Sequence, residues 1–235
     1  MPEIIFTGPE GRLEGRYHHN ENPTSPVAIV LHPHPLYGGT MNNKIVYRTY
    51  QAFAKNGFSV LRFNFRGVGR SLGHFDEGIG ELSDAAAAMD WIQAHNPEAA
   101  TCWIGGFSFG SWIALQLLMR RPEIEGFLAV SPPATKYDFS FLSPCPAPGL
   151  ILQGDKDDIV KEEDVSRLAE KIRGQNYAQV KYQVFTGADH YFRNSLDELE
   201  NTMTNYVAER MQHFEESRRA MPSRKRRQLP RDSRP

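Results

Sequence analysis

The chain predicts an α/β architecture: a mostly parallel central sheet of about eight strands with helices on both faces. Three observations carry that expectation. Strand-sized apolar runs alternate with helical segments through most of the 235 residues. The run Val27-Ala28-Ile29-Val30-Leu31 is continuously apolar, as in a strand buried on both faces of a parallel sheet. A composition of 40% hydrophobic and 23% charged residues is that of a globular protein long enough for one large domain.

Residues 3–7 and 11–18 read as an opening hairpin turning at Pro9-Glu10-Gly11. Strand 27–32 is followed by a helix over 42–56 that stops at Asn56-Gly57, and then by strand 58–65. A helix over 79–95 carries Leu82, Ala86, Met89 and Ile92 at helical spacing and ends before Pro97. Strand 101–105 leads into a helix over 109–120, which is apolar nearly all round and therefore expected to be buried. Strands 125–131 and 148–153 follow, then a helix with Val165, Leu168, Ala169 and Ile172 on one face. Strand 178–185 and a helix over 194–216 complete the alternation, and residues 1–216 read as one domain.

The net charge of −1 hides an asymmetry. Residues 217–235 hold eight Arg or Lys against the single acid Asp232, with Pro222, Pro230 and Pro235 and little that is apolar. This segment is expected to be a disordered, solvated basic tail; it is the one part of the chain suited to nucleic acid, which is not an expected partner. No run approaches the roughly 18 apolar residues of a membrane span, and the N-terminal sequence has no secretory pattern. Cys102 and Cys145 are too few for a disulfide framework, and Cys102 reads as a small buried hydrophobe. A cytoplasmic location is the expectation.

Two segments match G-x-S-x-G, the signature of a serine nucleophile on a tight strand-to-helix turn: Gly69-Arg70-Ser71-Leu72-Gly73 and Gly106-Phe107-Ser108-Phe109-Gly110. Such a turn needs a buried strand before it, a helix directly after it, and small residues two positions either side of the serine. The helix then aims its N-terminal N–H groups at the developing oxyanion. Ser71 passes only the glycine test. Residues 66–70 intervene as loop after the strand, and Leu72-Gly73-His74-Phe75-Asp76-Glu77-Gly78 is no buried helix. The same stretch fails as a dinucleotide loop, because its third glycine is at 73 where 72 is required. Ser108 passes all three tests and is the nucleophile candidate.

A serine of this kind works with a histidine base and an acid, expected in that fold at the ends of later strands. His190, in Gly187-Ala188-Asp189-His190-Tyr191-Phe192, is the histidine candidate; His213 falls inside the last helix. Three aspartates crowd the loop after strand 148–153. Asp157 is taken as the acid, with Asp155 and Asp158 as solvated turn residues. The oxyanion donors are expected to be the backbone N–H of Phe109 and one from the segment Leu31-His32-Pro33-His34-Pro35-Leu36-Tyr37. Prolines have no N–H, which leaves His34 first, with Leu36 or Tyr37 as substitutes. His32 and His34 lack the further ligands of a metal site.

Taken together, HPHPLYGG, FNFRGVGRS, GGFSFG, QGDKDDIV and GADHYF resemble the α/β-hydrolase superfamily, in that family's order across residues 27–192. They look closest to small bacterial dienelactone-hydrolase-like and serine-peptidase-like members. The family's Gly-x-x-Asp-x-x-Val pattern places the acid at Asp157. Residues 132–147 are too short for the folded lid of larger relatives, which implies an open site and small or exposed acyl substrates. The resemblance implies an acyl-enzyme mechanism with a Ser108, Asp157, His190 triad acting on an ester or thioester, without metal or organic cofactor. Amidase or peptidase activity is the alternative within the fold, and a non-catalytic scaffold the alternative outside it.

Overall fold

The computed structural model describes residues 1–175 and 179–220. The strands are β1 (Glu3–Gly8), β2 (Gly11–His18), β3 (Val27–Leu31), β4 (Ser59–Phe63), β5 (Cys102–Phe107), β6 (Ile124–Val130), β7 (Gly149–Gly154) and β8 (Val180–Phe185). The helices are α1 (Lys44–Lys55), α2 (Ile79–His95), α3 (Phe109–Leu118), α4 (Glu162–Arg173) and α5 (Leu196–Ala220). One eight-stranded sheet runs in the order β1-β2-β4-β3-β5-β6-β7-β8. β1 and β2 pair antiparallel, as do β2 and β4, and every pairing from β4 to β8 is parallel.

That order positions the site. From β3 the chain crosses to β4 on one side and then returns to β5 on the other, so the strand order reverses between β3 and β5. In an open α/β sheet the loops leaving the two strands at such a point diverge, opening a crevice at their carboxyl ends. The segment after β3 and the turn after β5 are the two that carry the oxyanion and nucleophile candidates.

Side chains alternate along β3 between two cores, as the period of a strand requires. Val27, Ile29 and Leu31 join the cluster under α2, α3 and α4, whereas Ala28 and Val30 join the one under α1 and α5. α3 is buried nearly all round, as its composition predicts. α1 is capped by the Asn43 side chain, which accepts from the Ile45 N–H at 2.8 Å, and ends at Asn56 and a left-handed Gly57. Cys102 is buried beside Met89, and burial pushes its thiol pKa up to about 12.

One expectation is refined and one is corrected. The buried face of α2 is Glu81, Asp84, Ala85, Ala88, Met89 and Ile92, while Leu82 and Ala86 are only half-buried. The helix is rotated toward two acids because both bind the loop after β4. Glu81 accepts the N–H groups of Asp76 and Gly78, and Asp84 takes Arg66 in a bidentate pair at 2.8 and 3.0 Å plus the Arg66 N–H at 3.0 Å. In addition, residues 217–220, expected to be unstructured, continue α5 as helix. The rest of the basic tail, 221–235, lies outside the described residues.

Ser71 has a structural role in that same loop. Its hydroxyl donates to the Asn64 carbonyl at 2.7 Å and accepts the Glu14 N–H at 3.0 Å, so both functions of the oxygen are occupied. Arg70 closes the other side, bonding Glu14 through its N–H and its Nε, both at 2.8 Å. Asp84 is fully buried and Arg66 nearly so. Removing one partner of a buried pair leaves the other charge uncompensated. Asp84→Ala is therefore expected to lower unfolding free energy by about 3–5 kcal/mol in urea titrations, against about 1–2 kcal/mol for Ser71→Ala.

Candidate active site

Ser108 sits where β5 gives way to α3, with φ 52° and ψ −122°, a backbone region that residues with a side chain rarely occupy. The surroundings enforce it. A Cβ on Gly106 would overlap the Gly110 carbonyl, and one on Gly110 would overlap the carbonyls of Leu31 and His32. The Ser108 N–H donates to the Val130 carbonyl at 2.8 Å, and its own carbonyl accepts from Ser111 N at 2.8 Å. The backbone is pinned on both sides while the side chain stays half-exposed, with its hydroxyl free of hydrogen bonds among the described residues.

His190 and Asp157 meet from the loops after β8 and β7. His190 Nδ1 lies 2.7 Å from Asp157 Oδ2, with the His190 side chain 4% exposed and that of Asp157 0%. Burial by itself would raise the Asp157 pKa. The bond from His190 and the N–H groups of Val160 and Ile159, at 2.7 and 2.9 Å, outweigh it and hold the carboxyl below its usual range. The acid is thus an ionised acceptor at neutral pH, which puts the imidazole proton on Nδ1 and the free lone pair on Nε2. Asp155 instead accepts the Gly187 N–H, while Asp158 is exposed. His213 lies beside Thr101 and Trp103 at the start of β5, at the far end of the strand from Ser108.

The two loops are laced together by their backbones. Asp155 N–H donates to Phe185 O at 3.1 Å and Lys156 N–H to Ala188 O at 3.0 Å. The sequence reading missed Gln153, a fully buried residue whose amide donates to Asp157 Oδ2 at 3.0 Å and to Val160 O at 2.9 Å. A polar side chain at the end of an otherwise apolar strand, four residues before an acid, is the signal that could have found it.

After β3, His34 accepts the Leu36 N–H on its ring at 3.2 Å and the Tyr37 N–H on its carbonyl at 3.1 Å. Both substitute donors are already committed, whereas the His34 N–H makes no hydrogen bond among the described residues. The Phe109 N–H, in the first turn of α3, has no partner within the helix. Beneath them His32 is fully buried, with Nε2 accepting the Phe65 N–H at 3.0 Å and Nδ1 2.6 Å from the Pro33 carbonyl. Neither ring nitrogen is left for a metal. Burial drives its pKa down to about 4, so the ring is neutral.

Ser108, His190, His34, Tyr37 and Phe109 open on one cavity of about 420 Å³, with Pro33, Pro133, Lys136, Tyr137, Ile159, Val160 and Tyr191 around them. The chain matches the X-Pro dipeptidyl-peptidase (S15) family over residues 20–227. It belongs to that family.

Similarity to individual proteins agrees with this membership. Protein RP471 of Rickettsia prowazekii is 55% identical over 211 residues, 88% of this chain and 89% of its own. A crystal structure of the Agrobacterium tumefaciens protein ATU1826, a candidate α/β hydrolase of unknown function, superposes with a TM-score of 0.88 at 52% identity, covering 90% of this chain and 97% of the other. The Xanthomonas campestris protein XC6422, an α/β serine hydrolase without a lid, superposes at 0.79 with 33% identity, covering 88% and 93%. This S15-family chain has the α/β serine-hydrolase fold. Its segment 132–147 contains turns and no helix, and it packs down through Tyr137, whose ring stacks on Trp112 at 4.2 Å.

The buried histidine and the crowded glycines give two measurable consequences for this family member. His32 has a folded pKa below its unfolded value, so the unfolded chain binds the extra proton between about pH 6.5 and 4. Its contribution is present above that window and is lost as pH falls through it, by roughly 3 kcal/mol. His32→Gln, whose Oε1 reaches the position of Nε2 and keeps an acceptor for Phe65 N–H, is expected to flatten the slope of Tm against pH across that range. Gly110→Ala is expected to cost more than about 2 kcal/mol in denaturant titrations, because the added carbon meets backbone that cannot rotate away.

Proposed function

We propose that the protein is a serine hydrolase that cleaves carboxylic esters or thioesters of small or exposed acyl substrates through an acyl-enzyme. The observation that carries the reading is convergence. A strained serine, a histidine hydrogen-bonded to a buried carboxylate, and two uncommitted N–H groups come from four loops at one end of the sheet, around one cavity.

In this reading Ser108 Oγ attacks the acyl carbonyl as His190 Nε2 takes its proton, and Asp157 stabilises the imidazolium. The N–H groups of Phe109 and His34 receive the oxyanion, each worth roughly 3 kcal/mol in the transition state. His190 then protonates the leaving group. Water, deprotonated by the same imidazole, releases the acid and restores Ser108. The sequence chemistry calls for no metal or organic cofactor, and the partner is the small-molecule substrate.

Ester cleavage is favoured over the dipeptidyl-peptidase chemistry of the family's name by the charge of the cavity. Release of a dipeptide brings the substrate's cationic α-amino group into the site, where a carboxylate would favour it. No Asp or Glu lines the cavity among the described residues, and the charged side chain there, Lys136, would repel it. Among the described residues no helix is long and apolar enough to cross a membrane.

Labelling with a fluorophosphonate probe, together with turnover of p-nitrophenyl esters, tests the reading. Ser108→Ala is expected to abolish both, whereas Ser71→Ala and His213→Ala keep both. Asp157→Asn is expected to lower kcat by roughly 10⁴-fold, as loss of the correct tautomer does in such sites. Labelling that survives Ser108→Ala and disappears in Ser71→Ala would overturn the assignment.

A further inference from the structure

Lys136 is an exposed cation that has no counter-ion among the described residues. It lines the cavity with Ser108 and His190, in a wall otherwise made of apolar, aromatic and neutral polar side chains. Among the described residues its ammonium makes no ion pair or hydrogen bond, whereas Lys55 and Lys181 are paired to Glu200 and Glu209 at 2.5 and 2.7 Å. Its position is held from both sides. The Thr135 hydroxyl donates to Asp164 on α4 at 2.8 Å, and Tyr137 stacks on Trp112 of α3. Both the Lys136 and Tyr137 N–H groups close on the Pro133 carbonyl, at 2.9 and 3.0 Å. A flexible side chain therefore rises from a fixed backbone turn at the mouth of the site, which lowers the ordering cost of binding a charge there.

We propose that Lys136 is a specificity-determining residue that binds a carboxylate carried on the acyl part of the substrate, so that half-esters or half-thioesters of dicarboxylic acids are the preferred class. This rests on the serine-hydrolase reading. The acyl side follows from the geometry of proton delivery. His190 must face the leaving group, which places that group on the side of Tyr191, whose ring is 5.2 Å from that of His190, and of Ile159 and Val160, whose N–H groups bind Asp157. The turn that carries Lys136 lies on the oxyanion side: the ring of its neighbour Tyr137 is 6.0 Å from that of Phe109, and the His34 ring is 5.0 Å from Phe109. A single ammonium matches the charge of a monoanion.

The test compares kcat/KM of the full chain for mono-p-nitrophenyl glutarate and p-nitrophenyl pentanoate, which are matched in length and leaving group. The wild type is expected to favour the glutarate by about tenfold at low salt, an advantage that shrinks as ionic strength rises. Lys136→Met should remove the preference, Lys136→Glu invert it and Lys136→Arg retain it. A second pair, 4-carboxyphenyl pentanoate against phenyl pentanoate, puts the charge on the leaving group, and its ratio should change less than about twofold in Lys136→Met. Ratios for the first pair that are unchanged in Lys136→Met and Lys136→Glu would overturn the proposal. So would a loss confined to the second pair, which would put the anion on the leaving-group side. Failure of the hydrolase reading looks different: no ester of either pair is turned over and the fluorophosphonate probe does not label, which refutes both.

Discussion

The close approach of the first turn of α3 to the end of β3 is the constraint on which the rest of the site depends. Gly110 has the carbonyls of Leu31 and His32 against it, and Gly106 has the Gly110 carbonyl. With no side chain between them, the α3 N-terminus and the loop after β3 come within reach of one small ligand. The strained φ of Ser108 is a consequence of this packing, because a wider turn would not let the helix start so near the strand. Its cost is borne by the fully buried β5 and the largely buried α3 on either side, which have many apolar contacts to lose if the turn relaxes.

A second group of interactions holds the acid and the histidine. β7 and β8 are adjacent and parallel, so their carboxyl-end loops leave side by side. Three bonds between those loops, through Asp155, Lys156 and the Asp155 carboxylate, fix their separation. Gln153 and the N–H groups of Ile159 and Val160 then orient the Asp157 carboxylate toward His190. The aspartates beside Asp157 have separate duties, one a loop clamp and one solvated. Charge around the site follows the same economy. The acid is buried behind the imidazole and away from the cavity, so the only formal charge the described lining offers a ligand is Lys136.

Elsewhere the buried polar groups serve the loop that leaves β4. Arg66, Asp84, Glu81, Ser71 and Glu14 together tie residues 64–78 to α2 and β2. That segment contains the second G-x-S-x-G, and its glycines let the chain turn sharply beside these partners. A serine with both hydrogen-bonding functions taken by backbone is poorly placed to attack anything. The glycines of that motif serve a tight loop, and its serine oxygen is bonded to the backbone of Glu14 and Asn64.

By itself the sequence determined the alternation of elements, because buried strands and apolar helix stripes are local patterns with periods of about two and 3.6 residues. α2 was legible to the residue at both ends, and the strand-serine-helix context was enough to separate Ser108 from Ser71 as candidates. What pattern could not reach were properties that depend on residues far apart in the chain. The rotation of α2 was set by Arg66, 18 positions before Asp84, and a charged stripe facing the core has no local signature. Which of three aspartates turns inward was suggested by family resemblance, but its burial against His190, 33 positions away, exists only once β7 and β8 are neighbours. Lys136 looked like any loop lysine until folding put it at the mouth of a cavity with no acid in its described lining. Hydrophobic periodicity is written in consecutive residues, whereas the charge balance of a cavity is a sum over loops that only the tertiary structure brings together.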